Sequence, residues 1–365
     1  MAVKLMVISS ARSDWNMLRP VVKAAARVPG CEVALSIKRP FPDFPYEGRI
    51  LFLPEMLASL VPGDDPADIT SVAAAAMKLY SAHYANIAPD IVLIAGDRFE
   101  AMAAAFAATV HRIPVAHLHG GDHTAGSYDN QFRHAITKLA HLHFVANEEA
   151  RERVVDLGEE HVFVTGNPAL DELVAWRDAT PLERDDHLLV VFHPETLSDD
   201  CGVVTAKTLG RALARSTRRI VGVSPTRDVG GEQVRRALVE ELPGKVNSTW
   251  VDSMEPEQFW TEMATCAAMV GNSSAALIEA PVLRTPAVNV GDRQGGRVRA
   301  KNVIDVVPIS GQPSIEQVIK QALALHGDRA VLDGVSPYGD GFATARIVKV
   351  LADLDSPKEL LKKDW

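Results

Sequence analysis

Several features that would settle the class of this 365-residue chain are scarce in it. There are three cysteines, Cys31, Cys201 and Cys266, odd in number and far apart. They form neither a disulfide framework nor a CxxC metal or redox motif. Lysine and arginine (38) are outnumbered by aspartate and glutamate (47), for a net charge of -9. That balance excludes broad electrostatic attraction to nucleic acid but leaves room for a local basic pocket. No apolar run is long enough to span a bilayer. The opening MAVKLMVISS has a short apolar stretch and no small-residue cleavage site, so it reads as a strand rather than a secretory leader. A cytoplasmic location is the resulting expectation. There is also no GxGxxG dinucleotide fingerprint, no sequence repeat and no low-complexity segment.

What is present is ordinary globular composition, 47% hydrophobic and 23% charged, in a chain long enough for two domains. Short apolar runs at Lys4–Ser9, Glu32–Ile37, Ile91–Ala95, Val115–His119, Leu142–Ala146 and Val162–Thr165 have the look of buried parallel strands. Helical spacing fills the gaps at Trp15–Val28, Ile69–Asn86, Phe99–Arg112, Gln131–Ala140 and Glu148–Leu157. The second half repeats the plan. Its strands are Leu188–Phe192, Arg219–Val223, Thr249–Val251, Ala268–Val270 and Ala287–Val290. Its helices are Val203–Arg215, Gly231–Glu241, Pro256–Thr265, Ala275–Leu283 and Ile315–Leu325. The fold class expected is α/β, with two Rossmann-like doubly wound domains facing a central cleft. Their expected spans are 1–170 and 186–340, joined across the polar stretch Pro168–Asp186, with 341–365 as a C-terminal extension. Ligands of such sheets sit beyond the carboxyl ends of the strands, so those loops are where function is sought.

After the first strand, Ser9-Ser10-Ala11-Arg12-Ser13-Asp14 turns into a helix whose N-terminus attracts anions. Arg12 is a candidate phosphate ligand, while Ser13 or Asp14 fits a simple cap. Asp97, between a buried strand and a helix, fits either an N-cap or a carboxylate aimed at the cleft. His117, His119 and His123 surround Gly120-Gly121, which suits close backbone approach to a ligand better than a metal shell; a buried His117 bonded to a carbonyl is the plainer reading. Asp122 and Asp129, with Asp97, are candidate acid/base groups. In the second half His193 ends a strand and can either donate to a phosphate or simply pack at the strand end. Gly271-Asn272-Ser273-Ser274 turns from a strand into a helix whose first N–H groups and hydroxyls suit a diphosphate. Glu279 lies further along that helix, placed to accept from ribose hydroxyls. Arg293 sits in a Gly- and Arg-containing loop suited to anion contact.

With these residues in hand, the chain resembles the hydrolysing UDP-N-acetylglucosamine 2-epimerases of sialic- and nonulosonic-acid synthesis. The likeness is carried by GDRFEAMAAAFAA, HLHGGDHTAGSYDNQFRHAITKLAHLHFVA, GNSSAALIEAP, VNVGDRQGGRVRAKNVIDV and SPYGDGFATARIV, in the family's order, over roughly two-thirds of the chain. It implies a GT-B-like fold, a UDP-sugar substrate, no metal or redox cofactor, and a homodimer; no nucleic-acid or membrane partner is expected from the charge balance and the short apolar runs. It also implies that Ser273, Ser274, Arg12 and His193 hold the diphosphate, Glu279 the ribose, and that Asp97, Asp122 and Asp129 stand near the sugar. The last helix, Phe342–Leu354, would cross back to the first domain. Three departures stand out. Asp122 replaces the family's glutamate, SIKRPFPDFPYEGR replaces a Gly-x-His-Leu segment, and SPTRDVGG replaces an Asn-Asp pair. The nucleotide half of the site is thus better preserved than the sugar half, which leaves a different sugar, a different reaction (a nucleotide-sugar hydrolase or glycosyltransferase) or a non-catalytic nucleotide-binding homologue open.

Overall fold

The computed structural model describes residues 3–37, 44–53, 66–123, 129–195, 198–225, 230–242, 244, 247–309 and 313–363; the side chains of Arg12, Ser13 and Pro66 lie outside that description. Apolar runs buried on both faces build two all-parallel sheets. The first contains β1 (Val3–Ser9), β2 (Cys31–Ile37), β3 (Arg49–Phe52), β4 (Ile91–Ala95), β5 (Val115–Leu118), β6 (Leu142–Val145) and β7 (Val162–Val164), in the spatial order β3-β2-β1-β4-β5-β6-β7. The second contains β8 (Leu188–Val191), β9 (Ile220–Val223), β10 (Ser248–Val251), β11 (Ala268–Gly271), β12 (Ala287–Val290) and β13 (Val303–Val306), in the order β10-β9-β8-β11-β12-β13. In each sheet the chain reverses its direction of travel beside the first strand. The switch points therefore fall between β1 and β4 and between β8 and β11, and the loops leaving those four strands open a crevice.

Helices cover both faces of each sheet. Met6, Ile8, Val92 and Ile94 face one core with Tyr80 and Tyr84. Leu5, Val7, Ile91 and Leu93 face another with Trp15 and Leu18. That second core also takes in Ile347 and Leu351 of the last α-helix, Ala343–Ala352. The same helix is capped by Asp171, whose carboxylate accepts from the backbone N–H of Ala343 (3.0 Å) and Thr344 (2.7 Å).

Three local outcomes differ from the sequence reading. Two four-residue strands at the sheet edges, Arg49–Phe52 and Val303–Val306, were not anticipated. The first part of the polar join is a helix, Ala169–Ala179, which buries Leu170 and Leu173. The helix expected over Ala275–Leu283 is regular only over Ala275–Ile278. Pro281 has no N–H for the carbonyl four residues back, and the Ala280 N–H instead reaches Ala275 O at 2.9 Å.

Candidate active site

The loops leaving β4 and β5 assemble a cross-braced group of carboxylates around one arginine. Arg133, on the helix Asp129–Leu139, donates to the Asp97 carboxylate and, through its other nitrogen, to the Asp122 carbonyl (2.6 Å) and Asn130 Oδ1 (2.7 Å). It thereby ties together two of the aspartates singled out by sequence. Burial, with Arg297 and Arg153 nearby, pulls the Arg133 pKa down to about 9, which still leaves it charged at neutral pH. Asp129 opens the helix that carries Arg133. Arg98 forks onto the buried Glu100 (3.1 and 2.9 Å), and its charge also acts on Asp14 and Asp129.

Asp122 is bound on its own side as well. Its Oδ2 lies 2.9 Å from His119 Nδ1. Burial opposes the charge on Asp122, but His119, Arg297 and Arg153 outweigh it and hold the carboxyl below its ordinary value. His117 takes the plainer of its two readings. It is fully buried, with Nε2 2.8 Å from the Gly96 carbonyl and Nδ1 3.2 Å from the Thr137 hydroxyl. Burial drives its pKa to about 3, so the ring is neutral. One glycine of the pair also meets a constraint from within the chain. Gly121 has φ +75°, and a Cβ there would lie 2.2 Å from the Ala150 carbonyl oxygen. The close approach it permits is to the chain's own helix.

Asp14 caps the helix, as one of its sequence readings had it. Its Oδ2 accepts from Ser10 N (3.3 Å), Ser10 Oγ (3.1 Å) and Ala11 N (3.1 Å), which fixes the turn ahead of Arg12. Burial raises its pKa against those bonds and the charge of Arg98. Arg12 begins the helix Arg12–Ala25, and its side chain lies outside the described residues. So do parts of both altered loops, 38–43 and 226–229.

Across the crevice, the ends of β8 and β11 are clasped by Asn272. Its Oδ1 accepts from His193 N (2.6 Å) and its Nδ2 donates to His193 O (2.8 Å). Gln294 Nε2 (2.8 Å) and Arg293 Nη1 (3.4 Å) both donate to the Asn272 carbonyl. Burial, with Arg293 nearby, lowers the His193 pKa to about 3, leaving a neutral ring. Gly271 has φ +144°, and a Cβ there would stand 1.9 Å from the Val191 carbonyl oxygen, so only glycine lets β11 pass β8 at this point.

Ser273, Ser274 and Glu279 line a cavity of about 330 Å³ between the two sheets, faced by Asn16 and Arg19 from the first. Ser273 is 8% exposed, and its Oγ accepts from Ala275 N (3.3 Å). Glu279 Oε1 accepts from the Trp260 indole N–H (3.1 Å), and burial raises its pKa against that bond. A second space of about 430 Å³ shares Asn16, Arg19, Glu172, Pro256 and Trp260 with the first. On its wall Glu172 accepts from Arg19 and from Lys23 (3.1 Å).

One loop joins the two groups. After β12, Arg297 Nε donates to the His123 carbonyl (2.9 Å), His123 Nδ1 sits 3.1 Å from Gly295 O, and Arg153 spans Gly121 O (2.9 Å) and Gly296 O (3.2 Å). Thus Asp97 and Asp122 are brought together, Ser273, Ser274 and Glu279 are brought together, and the loop carrying Arg293 bridges them. Among the described residues Asp97, Asp122 and Asp129 do not line the 330 Å³ cavity. Arg133, Arg98, Glu100, His119 and Asn272 were not given these parts by sequence. Two doubly wound parallel sheets, with switch-point loops meeting across a cleft of this kind, define a GT-B-like α/β protein.

Within that class, the sequence profile described as UDP-N-acetylglucosamine 2-epimerase matches residues 51–352. The chain belongs to the UDP-N-acetylglucosamine 2-epimerase family. It is 28% identical to a Legionella pneumophila UDP-N,N'-diacetylbacillosamine 2-epimerase (hydrolyzing), over 99% of this chain and 98% of that one. It is 26% identical to the polysialic acid biosynthesis protein P7 of Escherichia coli, over 99% and 97%. Its fold superposes on the crystal structure of a Neisseria meningitidis UDP-GlcNAc 2-epimerase bound to UDP-GlcNAc. That match has a TM-score of 0.76 at 18% identity and covers 96% of this chain and 100% of that one.

Proposed function

We propose that the chain is a hydrolysing 2-epimerase. It takes UDP-GlcNAc or a modified UDP-N-acetylhexosamine, with water, to UDP and the free 2-epimer. The observation that carries this reading is the inter-sheet cavity lined by Ser273, Ser274 and Glu279, bridged by one loop to the Asp97–Arg133–Asp122 group. Family membership and nearly full-length likeness to hydrolysing 2-epimerases support it.

In this reading the diphosphate lies against Ser273 and Ser274, with Arg12, His193 and Arg293 as further donors and Gly271 setting the turn. The Glu279 oxygen not held by Trp260 accepts from the ribose. A carboxylate among Asp97, Asp122 and Asp129 removes the proton from sugar C2 as the C1–O bond breaks, and the electron pair leaves with the diphosphate. Fixed donors that neutralise that departing charge lower the barrier. Water then adds at C1 of the glycal, and a proton returns to C2 from the opposite face. Carboxyl groups with pKa values set apart by their surroundings suit these two proton transfers. The spans 1–170 and 186–340 act as the sugar-side and nucleotide-side domains, with 341–365 returning to the first. A cytoplasmic homodimer is part of the same reading; the exposed Phe106 and Val110 of the helix Phe99–Val110 offer an apolar patch for self-association.

The test is a panel of UDP-2-acetamido sugars incubated in D2O and followed by NMR. Release of UDP with a 2-epimer carrying deuterium at C2 is expected. Absence of UDP release, or a product with its C2 hydrogen and configuration retained, refutes the reading.

A further inference from the structure

The turn from His119 to Asp122 is pinned on every side. His119 N donates to Phe144 O at 2.9 Å, one residue past the end of β5. Gly121 is pressed against Ala150, Arg153 holds the Gly121 carbonyl, and Arg133 holds that of Asp122. Within this turn His119 has φ +66°, a left-handed conformation uncommon for a residue with a Cβ. Such a conformation persists only where the surroundings enforce it, and it clusters at functional sites. Its side chain is 6% exposed, with Nδ1 on the Asp122 carboxylate and a buried Nε2 that has no hydrogen-bond partner among the described residues. The Asp122 side chain is the more open of the two, at 13% exposed.

We propose that His119 is a positioning residue for the reaction, its Nδ1–H holding one oxygen of Asp122 so that the other is presented to the sugar. This rests on the epimerase reading given above. An ionised Asp122 only accepts, so in this contact the proton is on His119 Nδ1, which donates to the carboxylate. A short carboxylate arm bonded through one oxygen keeps little torsional freedom, and proton transfer is sensitive to displacements of about 1 Å. The charged and titratable groups acting on Asp122 are His119, Arg297 and Arg153, with His117 and Tyr338 also within electrostatic reach and Arg133 on its carbonyl.

Two substitutions tolerate the left-handed backbone and separate the donor from the fold. His119→Gly removes the donor, whereas His119→Asn keeps an N–H donor at the same point along the side chain. His119→Gly is expected to lose about 10²-fold in kcat, with KM changed less than about threefold. The acidic limb of its kcat/KM profile should move to higher pH, because Asp122 loses a partner of its ionised form. His119→Asn should recover most of the rate and return the limb toward its original position. A glycine variant with unchanged kcat and acidic limb overturns the proposal. So does an asparagine variant no better than glycine while both stay folded and bind UDP. If the wild type releases UDP from no substrate, the epimerase reading itself has failed. The positioning claim is then read from the Asp122 carboxyl titration by 13C NMR. It should shift upward in His119→Gly and back in His119→Asn, and an immobile titration overturns it.

Discussion

The two sides of the crevice are built on opposite plans. On the first sheet, Asp97, Asp122 and Glu100 are each bonded to a cation or imidazole, and Arg133 locks two of the loops together. On the second, Ser273, Ser274 and Glu279 face an open space, and the rigid part lies behind them, in the Asn272 clasp and the Trp260 bond to Glu279. The contrast fits a division of labour. A group that moves protons needs its position and pKa held in place before substrate arrives, because both enter the rate steeply. A group that grips a diphosphate needs donors left open to be completed by the ligand.

The sharpest way to break this comparison is Asp97→Asn. It should lower the rate of UDP release about 10³-fold while UDP affinity, measured by calorimetry, stays within about threefold. Loss of affinity on the same scale as loss of rate would erase the distinction between the two sides. Arg133→Met should cost about 10²-fold in kcat by freeing Asp97 and Asp122. It should also lower stability by about 2 kcal/mol, since the part-buried Asp97 carboxylate loses its charged partner; urea denaturation beside steady-state kinetics reads both.

A brace remote from the crevice sharpens the point. Glu159 is buried at the far end of the first sheet, bonded to Lys138, Lys363 and His143. Burial opposes its charge, but those three partners outweigh it and bring its pKa to about 2 from an ordinary 4.5. Because the folded value is the lower one, its stabilisation is present above pH 4.5 and is lost as pH falls toward 2. Glu159→Gln should therefore cost about 3 kcal/mol at neutral pH, flatten the acid limb of the melting curve, and leave kcat alone. Last and smallest, Glu279→Gln should weaken UDP binding about tenfold with kcat unchanged. A fall in kcat instead would put Glu279 with the carboxylates of the other side.

Much of this is legible in the amino-acid sequence. Ile91–Ala95 is an uninterrupted apolar run and Ala287–Val290 is apolar but for Asn289, and the bounds of both are as read. The edge strands Arg49–Phe52 and Val303–Val306 escaped because they are four residues long and part-exposed, so they lack that contrast. The helix Ala169–Ala179 escaped because it turns a polar face outward and fully buries only Leu170 and Leu173. Motif residues that begin a helix or end a strand were found because local turn chemistry marks them. Arg133 and Asn272 were not given their parts, because their partners lie 36 and 79 residues away in sequence and only the sheet topology brings them close. The same reason hid Trp260: nothing near it in sequence points to Glu279.

On this division of labour the second sheet holds the diphosphate and the first works on the sugar. A crystal structure of Asp97→Asn with an intact UDP-2-acetamido sugar tests it most directly. The account predicts diphosphate oxygens within hydrogen-bonding distance, about 3 Å, of Ser273 and Ser274, with sugar C2 turned toward residue 97 and Asp122. A diphosphate seated elsewhere, or a C2 facing away from both of those positions, contradicts it.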